Sequence, residues 1–170
     1  MAAIGAQEAS STRCSYHAFL SFRGDIRNTF IDHLYTALLY AGIQTFRDDN
    51  ALERGQNIAL ELNRAIQELR ISIIVFSKDY ASSIWCLDEL LNILEHKKAV
   101  GHMIMLVFYH VNPSLVRNQT GSFAEEFAKH EERFKAETEE RKEEGFDKIK
   151  RWNEAMREVA NLARMVLMHG

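Results

Sequence analysis

Apolar residues fall along this chain in two alternating rhythms, short unbroken runs and stripes that recur every three or four residues. The runs 17–22, 43–46, 73–76 and 103–109 predict strands, the apolar ones covered on both faces as in a parallel sheet flanked by helices. The stripes predict helices. Phe30, Leu34, Ala37, Leu38 and Ala41 form the first, behind a cap at Asn28 or Thr29 and ahead of a left-handed stop at Gly42. Ile58, Leu62, Ala65, Ile66 and Leu69 form the second, and Leu87, Leu90, Leu91 and Leu94 a third that Gly101 ends. A fourth starts at Gly121 or Ser122 and passes through Phe123 and Phe127 into 131–144, where charge dominates and a solvated helix or a mobile loop is expected. The last, from about Phe146 to Met165, carries Ile149, Trp152, Met156, Val159, Ala160 and Ala163. Strand and helix alternate almost from end to end. The expected class is α/β, a flavodoxin-like doubly wound sheet of four to five parallel strands flanked by helices.

In such a sheet ligands collect beyond the carboxyl ends of the strands, so the segment 77–89 lies where a pocket would form. At 100° per residue, Trp85 and Glu89 fall together on the side of the third helix opposite its leucine stripe. They form a ligand surface in one reading; in the other, Glu89 complements the helix dipole and Trp85 covers a loop. Asp88 projects elsewhere and reads as a dipole or capping residue. After the first strand, Arg23-Gly24-Asp25-Ile26-Arg27 is a polar loop whose glycine lets the backbone approach a ligand. The charged loop 47–56 is long enough to be suspected of function, with Gly55 permitting it to bend.

A chain of 170 residues suits one domain with a real core, and its net charge of -3 gives no general pull toward nucleic acid or an anionic membrane. Two cysteines, Cys14 and Cys86, make no disulfide framework and suit a reducing compartment. No apolar run approaches the length of a membrane span. Residues 1–15 lack the apolar core of a secretory signal and read as a disordered leader, 16–166 as the domain and 167–170 as the start of a linker. Glycine-rich nucleotide loops and the Gly-x-Ser-x-Gly elbow are absent and the histidines are scattered, so neither a metal nor a cofactor is expected.

Taken together, Phe19-Leu20-Ser21-Phe22-Arg23-Gly24, Thr45-Phe46-Arg47-Asp48-Asp49, Arg54-Gly55, Ser83-Ile84-Trp85-Cys86-Leu87-Asp88-Glu89-Leu90 and Gln119-Thr120-Gly121-Ser122-Phe123 resemble a TIR domain of a plant intracellular immune receptor of the TIR-NB-LRR type. The resemblance covers about Tyr16 to Leu162. It implies self-association and, in plants, cleavage of NAD at the nicotinamide–ribose bond to signal defence and cell death, with NAD as substrate rather than cofactor. It implies Glu89 as the catalytic residue and Phe22, Arg23, Gly24, Asp25, Ile26, Arg27, Gly55 and Trp85 as the NAD-binding set. Self-association would use His33 on the first helix together with the last helix, with the loop 47–57 as a further contact and other TIR domains as partners. No membrane and no specific nucleic acid are expected, and the cytoplasm is the expected location, with the nucleus as an alternative. The chain departs from the family in having His17 for an aspartate, a Gly24–Arg27 loop one residue short, Leu69 for a serine and Asn112 for an aspartate. The competing class of function is a non-catalytic self-association or adaptor module.

The implied chemistry needs only one carboxylate. The nicotinamide of NAD is positively charged and leaves neutral, so no general acid is required, unlike ordinary glycoside hydrolysis. What remains is an oxocarbenium-like ribose, which a carboxylate in a partly dry site stabilises. Arg23 would face the pyrophosphate or, alternatively, pair with an acid of the Asp48-Asp49 loop and hold structure.

Overall fold

A computed structural model of the chain describes residues 16–47, 70–162 and 165–169. Five parallel strands, β1 (Ala18–Ser21), β2 (Thr45–Arg47), β3 (Ile71–Phe76), β4 (Met103–Tyr109) and β5 (Met165–His169), join in the order β2-β1-β3-β4-β5. This is the flavodoxin-like order, and it reverses between β1 and β3, so the carboxyl ends of those two strands bound one crevice. The register sets Ser21, the last residue of β1, beside Ile74 of β3.

Among the described residues the α-helices are α1 (Asp32–Tyr40), α2 (Ile84–Val100), α3 (Pro113–Asn118), α4 (Ser122–Lys135) and α5 (Glu139–Leu162). Successive strand residues point to opposite faces, and the sheet accordingly feeds two cores. Phe19, Ile74, Phe76, Ile104, Leu106 and Phe108 pack with Leu87, Leu90, Phe123, Trp152 and Met156 of the helices. Ala18, Leu20, Ile73, Val75 and Val107 pack on the other face with Phe22, Ile26 and Ile31. Leu87, Leu90 and Ile93 are fully buried, each a gain of about 1.5–3 kcal/mol over exposure. Local chemistry sets the ends of α2. Ser83 is extended and its hydroxyl accepts from the Cys86 N–H at 3.2 Å, and Gly101, at φ 75°, ends the helix with its N–H on the Lys97 carbonyl.

Besides α3, a helix in the stretch around Pro113 that the sequence predicts as a loop, the structure differs from the sequence reading in three places. The first helix is entered through a 3-10 turn, Gly24–Ile26, and a π turn, Arg27–Ile31, without a side-chain cap; Thr29 Oγ1 instead donates to the Ile26 carbonyl at 3.1 Å. A π turn closes from residue i to i+5, and Ile26 and Ile31, five apart, reach the same core. Arg47 belongs to β2 rather than to a loop. It pairs with Asp32 at 2.7 Å and lies 4.4 Å from the centre of the Tyr35 ring.

The third difference is the end of the chain. The last helix begins at Glu139, inside the charged stretch, and stops at Leu162; residues 165–169 form β5, paired along β4 from Met105↔Met165 to Tyr109↔His169. The helix expected to reach Met165 and the linker expected from 167 are therefore replaced by a sheet edge. The four-residue apolar run of Met165, Val166, Leu167 and Met168, which continues a helical stripe, cannot be separated from it by periodicity, whereas β4 offers it a ladder of hydrogen bonds. The charge run 131–144 is the exposed end of α4, a short turn and the exposed start of α5, as the solvated-helix reading expected. The helix expected at 58–69, the loop 48–57 and the leader 1–15 lie outside the described residues.

Candidate active site

Glu89 enters the crevice from the second turn of α2. The residue is only 7% exposed, with Ser21 Oγ donating to Oε1 at 2.9 Å and Trp85 Nε1 donating to Oε2 at 2.9 Å. Helical spacing thus paired Trp85 with Glu89 correctly. It did not place them correctly relative to the core, because the side of α2 opposite the leucine stripe meets the end of β1 instead of solvent. No acid stands in the first turn of α2, which removes the helix-dipole reading of Glu89.

Around this carboxylate the chain supplies polar groups from three elements. Ser21 Oγ also lies 2.9 Å from the Tyr80 hydroxyl, at the head of the 3-10 turn Tyr80–Ser82, and that hydroxyl lies 3.2 Å from the Cys86 carbonyl. The Cys86 thiol donates to the Phe22 carbonyl at 3.4 Å. Burial first, then the Glu89 charge, pushes the Cys86 thiol up to about 12, so it is no nucleophile at neutral pH. Burial likewise raises the Tyr80 phenol well above its ordinary range, with Cys86 and Glu89 adding to the effect.

The loop after β1 divides by residue. Phe22 and Ile26 put their side chains into the core, so only their backbone is available to a ligand. Arg23 is half-buried, and its buried Nε has no hydrogen-bond partner among the described residues. Among the described residues a Cβ added at Gly24 would meet nothing nearer than the end of Arg27 at 3.5 Å, an ordinary contact, so packing does not demand a glycine there. Asp25 is exposed, and its carboxyl is raised by partial burial and by the neighbouring Asp79, against the lowering effect of Arg23. Arg27 is half-buried. Gly55 and the acids Asp48 and Asp49 lie outside the described residues.

Asp88 neither caps α2 nor faces the crevice: Ser83 is the cap, and Asp88 accepts from Trp152 Nε1 at 3.1 Å while Lys148 lies 3.5 Å away. His33 stands exposed on α1, the helix that also carries Tyr40, 90% exposed. Ser21 and Tyr80 are the site residues that the sequence did not single out. Their signals were a hydroxyl at the end of the otherwise apolar β1 and a tyrosine four residues beyond the end of β3.

A buried, doubly hydrogen-bonded carboxylate at the switch point of a β2-β1-β3-β4-β5 sheet defines an α/β domain of flavodoxin-like type with a polar crevice at its strand ends. The sequence model of the TIR domain matches residues 15–168, and the chain belongs to that family. It is 54% identical over 150 residues to disease resistance protein RPV1 of Vitis rotundifolia, covering 88% of this chain and 10% of that protein. It is 48% identical over 158 residues to TMV resistance protein N of Nicotiana glutinosa, covering 92% of this chain and 13% of that protein. The chain thus spans about a tenth of the length of these relatives. Among solved structures, the TIR domains of the activated Roq1 resistosome, which directly recognises the pathogen effector XopQ, match with a TM-score of 0.76 and 47% identity, over 90% of this chain and 88% of that one.

Proposed function

We propose that this chain is the TIR signalling domain of a plant disease-resistance receptor and that, once self-associated, it cleaves NAD at the nicotinamide–ribose bond. The observation that carries the reading is Glu89, a buried carboxylate that accepts from Ser21 and Trp85 at the switch point of the sheet. Its charge faces the ribose as the C1′–N bond breaks and the electron pair leaves with nicotinamide; water adds at C1′ and gives up a proton, leaving ADP-ribose, or a ribose hydroxyl closes a cyclic product. The bare backbone at Gly24 admits the substrate and Arg23 faces the pyrophosphate. Trp85 both fixes the carboxylate and shields it. Disease-resistance relatives and a resistosome whose TIR domains are assembled support the biological setting. Among the described residues no helix is long and apolar enough to cross a membrane, in keeping with a cytoplasmic location or, alternatively, a nuclear one.

Nicotinamide release by concentrated or bead-arrayed protein tests this reading. Parent protein should release nicotinamide, folded Glu89→Gln should not because it keeps the size but loses the charge, and Glu89→Asp, a methylene shorter, should lose most activity. Parent-rate release by folded Glu89→Gln sinks the assignment. Absence of release by the clustered parent, with an active relative working alongside, leaves the non-catalytic adaptor, a reading that the exposed Tyr40 and His33 of α1 favour.

A further inference from the structure

We propose that Ser21 and Tyr80 form a two-hydroxyl relay that positions Glu89 and keeps it ionised; the idea rests on the catalytic reading of Glu89. Three contacts meet here: Ser21 Oγ to Glu89 Oε1 at 2.9 Å, Ser21 Oγ to the Tyr80 hydroxyl at 2.9 Å, and that hydroxyl to the Cys86 carbonyl at 3.2 Å. Two hydroxyls carry two protons, so the three contacts cannot all be hydrogen bonds at once. A bond to a carboxylate is stronger than one to a neutral acceptor. Ser21 therefore gives its proton to Glu89 and can only accept from Tyr80, which turns its own proton to Ser21. The contact that yields is the longest of the three, to a carbonyl that the helix ladder already serves.

The chain Tyr80→Ser21→Glu89 fixes what a single donor would not. The last torsion of a glutamate is broad; one donor on Oε1 from β1 and one on Oε2 from Trp85 set the plane of the carboxylate. Because its phenol is raised well above its ordinary range, Tyr80 remains a donor throughout the physiological range. The titratable groups around the network are Asp79 and Tyr80 after β3, Cys86 on α2, and Arg23 and Asp25 after β1. When Glu89 loses its charge, Tyr80 is free to return to the Cys86 carbonyl, so the two protons report the charge of the glutamate.

The test is a substrate-free titration of the Glu89 carboxyl by carbon-13 NMR, assigned through its loss in Glu89→Gln, in the parent, Ser21→Ala, Tyr80→Phe and the double variant. Removing a donor to a carboxylate raises its midpoint: the expected rise is about one pH unit in Ser21→Ala and less in Tyr80→Phe. The double variant should match Ser21→Ala, because Tyr80 acts only through Ser21. In nicotinamide release the same variants should lower kcat roughly tenfold or more, with a smaller change in KM and an unchanged circular dichroism spectrum. A parent-like titration of Tyr80→Phe, or additive effects in the double variant, overturns the relay; Tyr80→Phe keeps the buried ring and decides the matter even where Ser21→Ala fails to fold. An inactive parent defeats the catalytic reading but leaves the titration to judge the relay, whereas an active parent with unmoved titrations defeats the relay alone.

Discussion

Trp152 gives its indole N–H to Asp88 at 3.1 Å, so the carboxylate next to Glu89 in sequence joins α2 to α5 and takes no part in the crevice. Trp152 is fully buried, while the Asp88 side chain is 41% exposed. Water can therefore replace part of what Asp88 supplies. Asp88→Ala should destabilise the fold by about 1 kcal/mol, with the Lys148 contact adding little, and activity per folded molecule should stay at the parent level. Urea unfolding measured alongside nicotinamide release checks both halves.

Gly145 lies within α5, and a Cβ built on it would overlap the ring of Phe134. Alanine is the better helix former by up to about 1 kcal/mol, so an unpacked position would be stabilised. Here the overlap should win, and Gly145→Ala should cost about 1–3 kcal/mol net. Phe134→Ala should remove the conflict, so that Gly145→Ala lowers the melting temperature in the parent and raises it in that background.

Asp25 carries a folded-state pKa raised by burial and Asp79. A raised acid binds its proton more tightly when folded, so its contribution to stability falls as pH climbs from the unfolded carboxylate value, about 3.9, through the raised folded value. Above that window the ionised form is a constant penalty. Asp25→Asn should therefore gain melting temperature relative to the parent as pH rises from 4 to 7. A gain independent of pH would mean that burial and Asp79 together do not raise Asp25 in solution.

His33 is exposed at the start of α1, and Tyr40, at the other end of the same helix, is exposed as well. If α1 forms the proposed contact between copies, His33→Glu should shift light scattering toward the monomer while leaving circular dichroism unchanged. Concentration dependence identical to that of the parent would remove His33 from the contact.

Much of the fold was legible because a parallel sheet writes itself locally: strands as unbroken apolar runs, helices as stripes, and Gly101 as a stop. The Trp85 and Glu89 pair was legible for the same reason, since a spacing of four is a helical neighbour. The rest of the site was not. Ser21 lies 59 residues from Tyr80 and 68 from Glu89, and no periodicity relates positions so far apart; only the parallel register of β1 and β3 brings them together. Phe22 and Ile26 entered the NAD-binding set through the resemblance rather than through any pattern in the chain, and both side chains lie in the core. β5 was hidden because its apolar residues extend a helical stripe and its partner strand lies more than fifty residues upstream.

The π turn at Arg27–Ile31 ties the rim of the crevice to the core. It closes on one residue more than an α turn, and Asp32 already starts a regular helix anchored by Arg47. In α geometry Ile26 and Ile31 would stand about 140° apart on the helix and could not share the core they share here. The extra residue of the turn thus moors the segment that begins at Arg23 to the apolar layer beneath it.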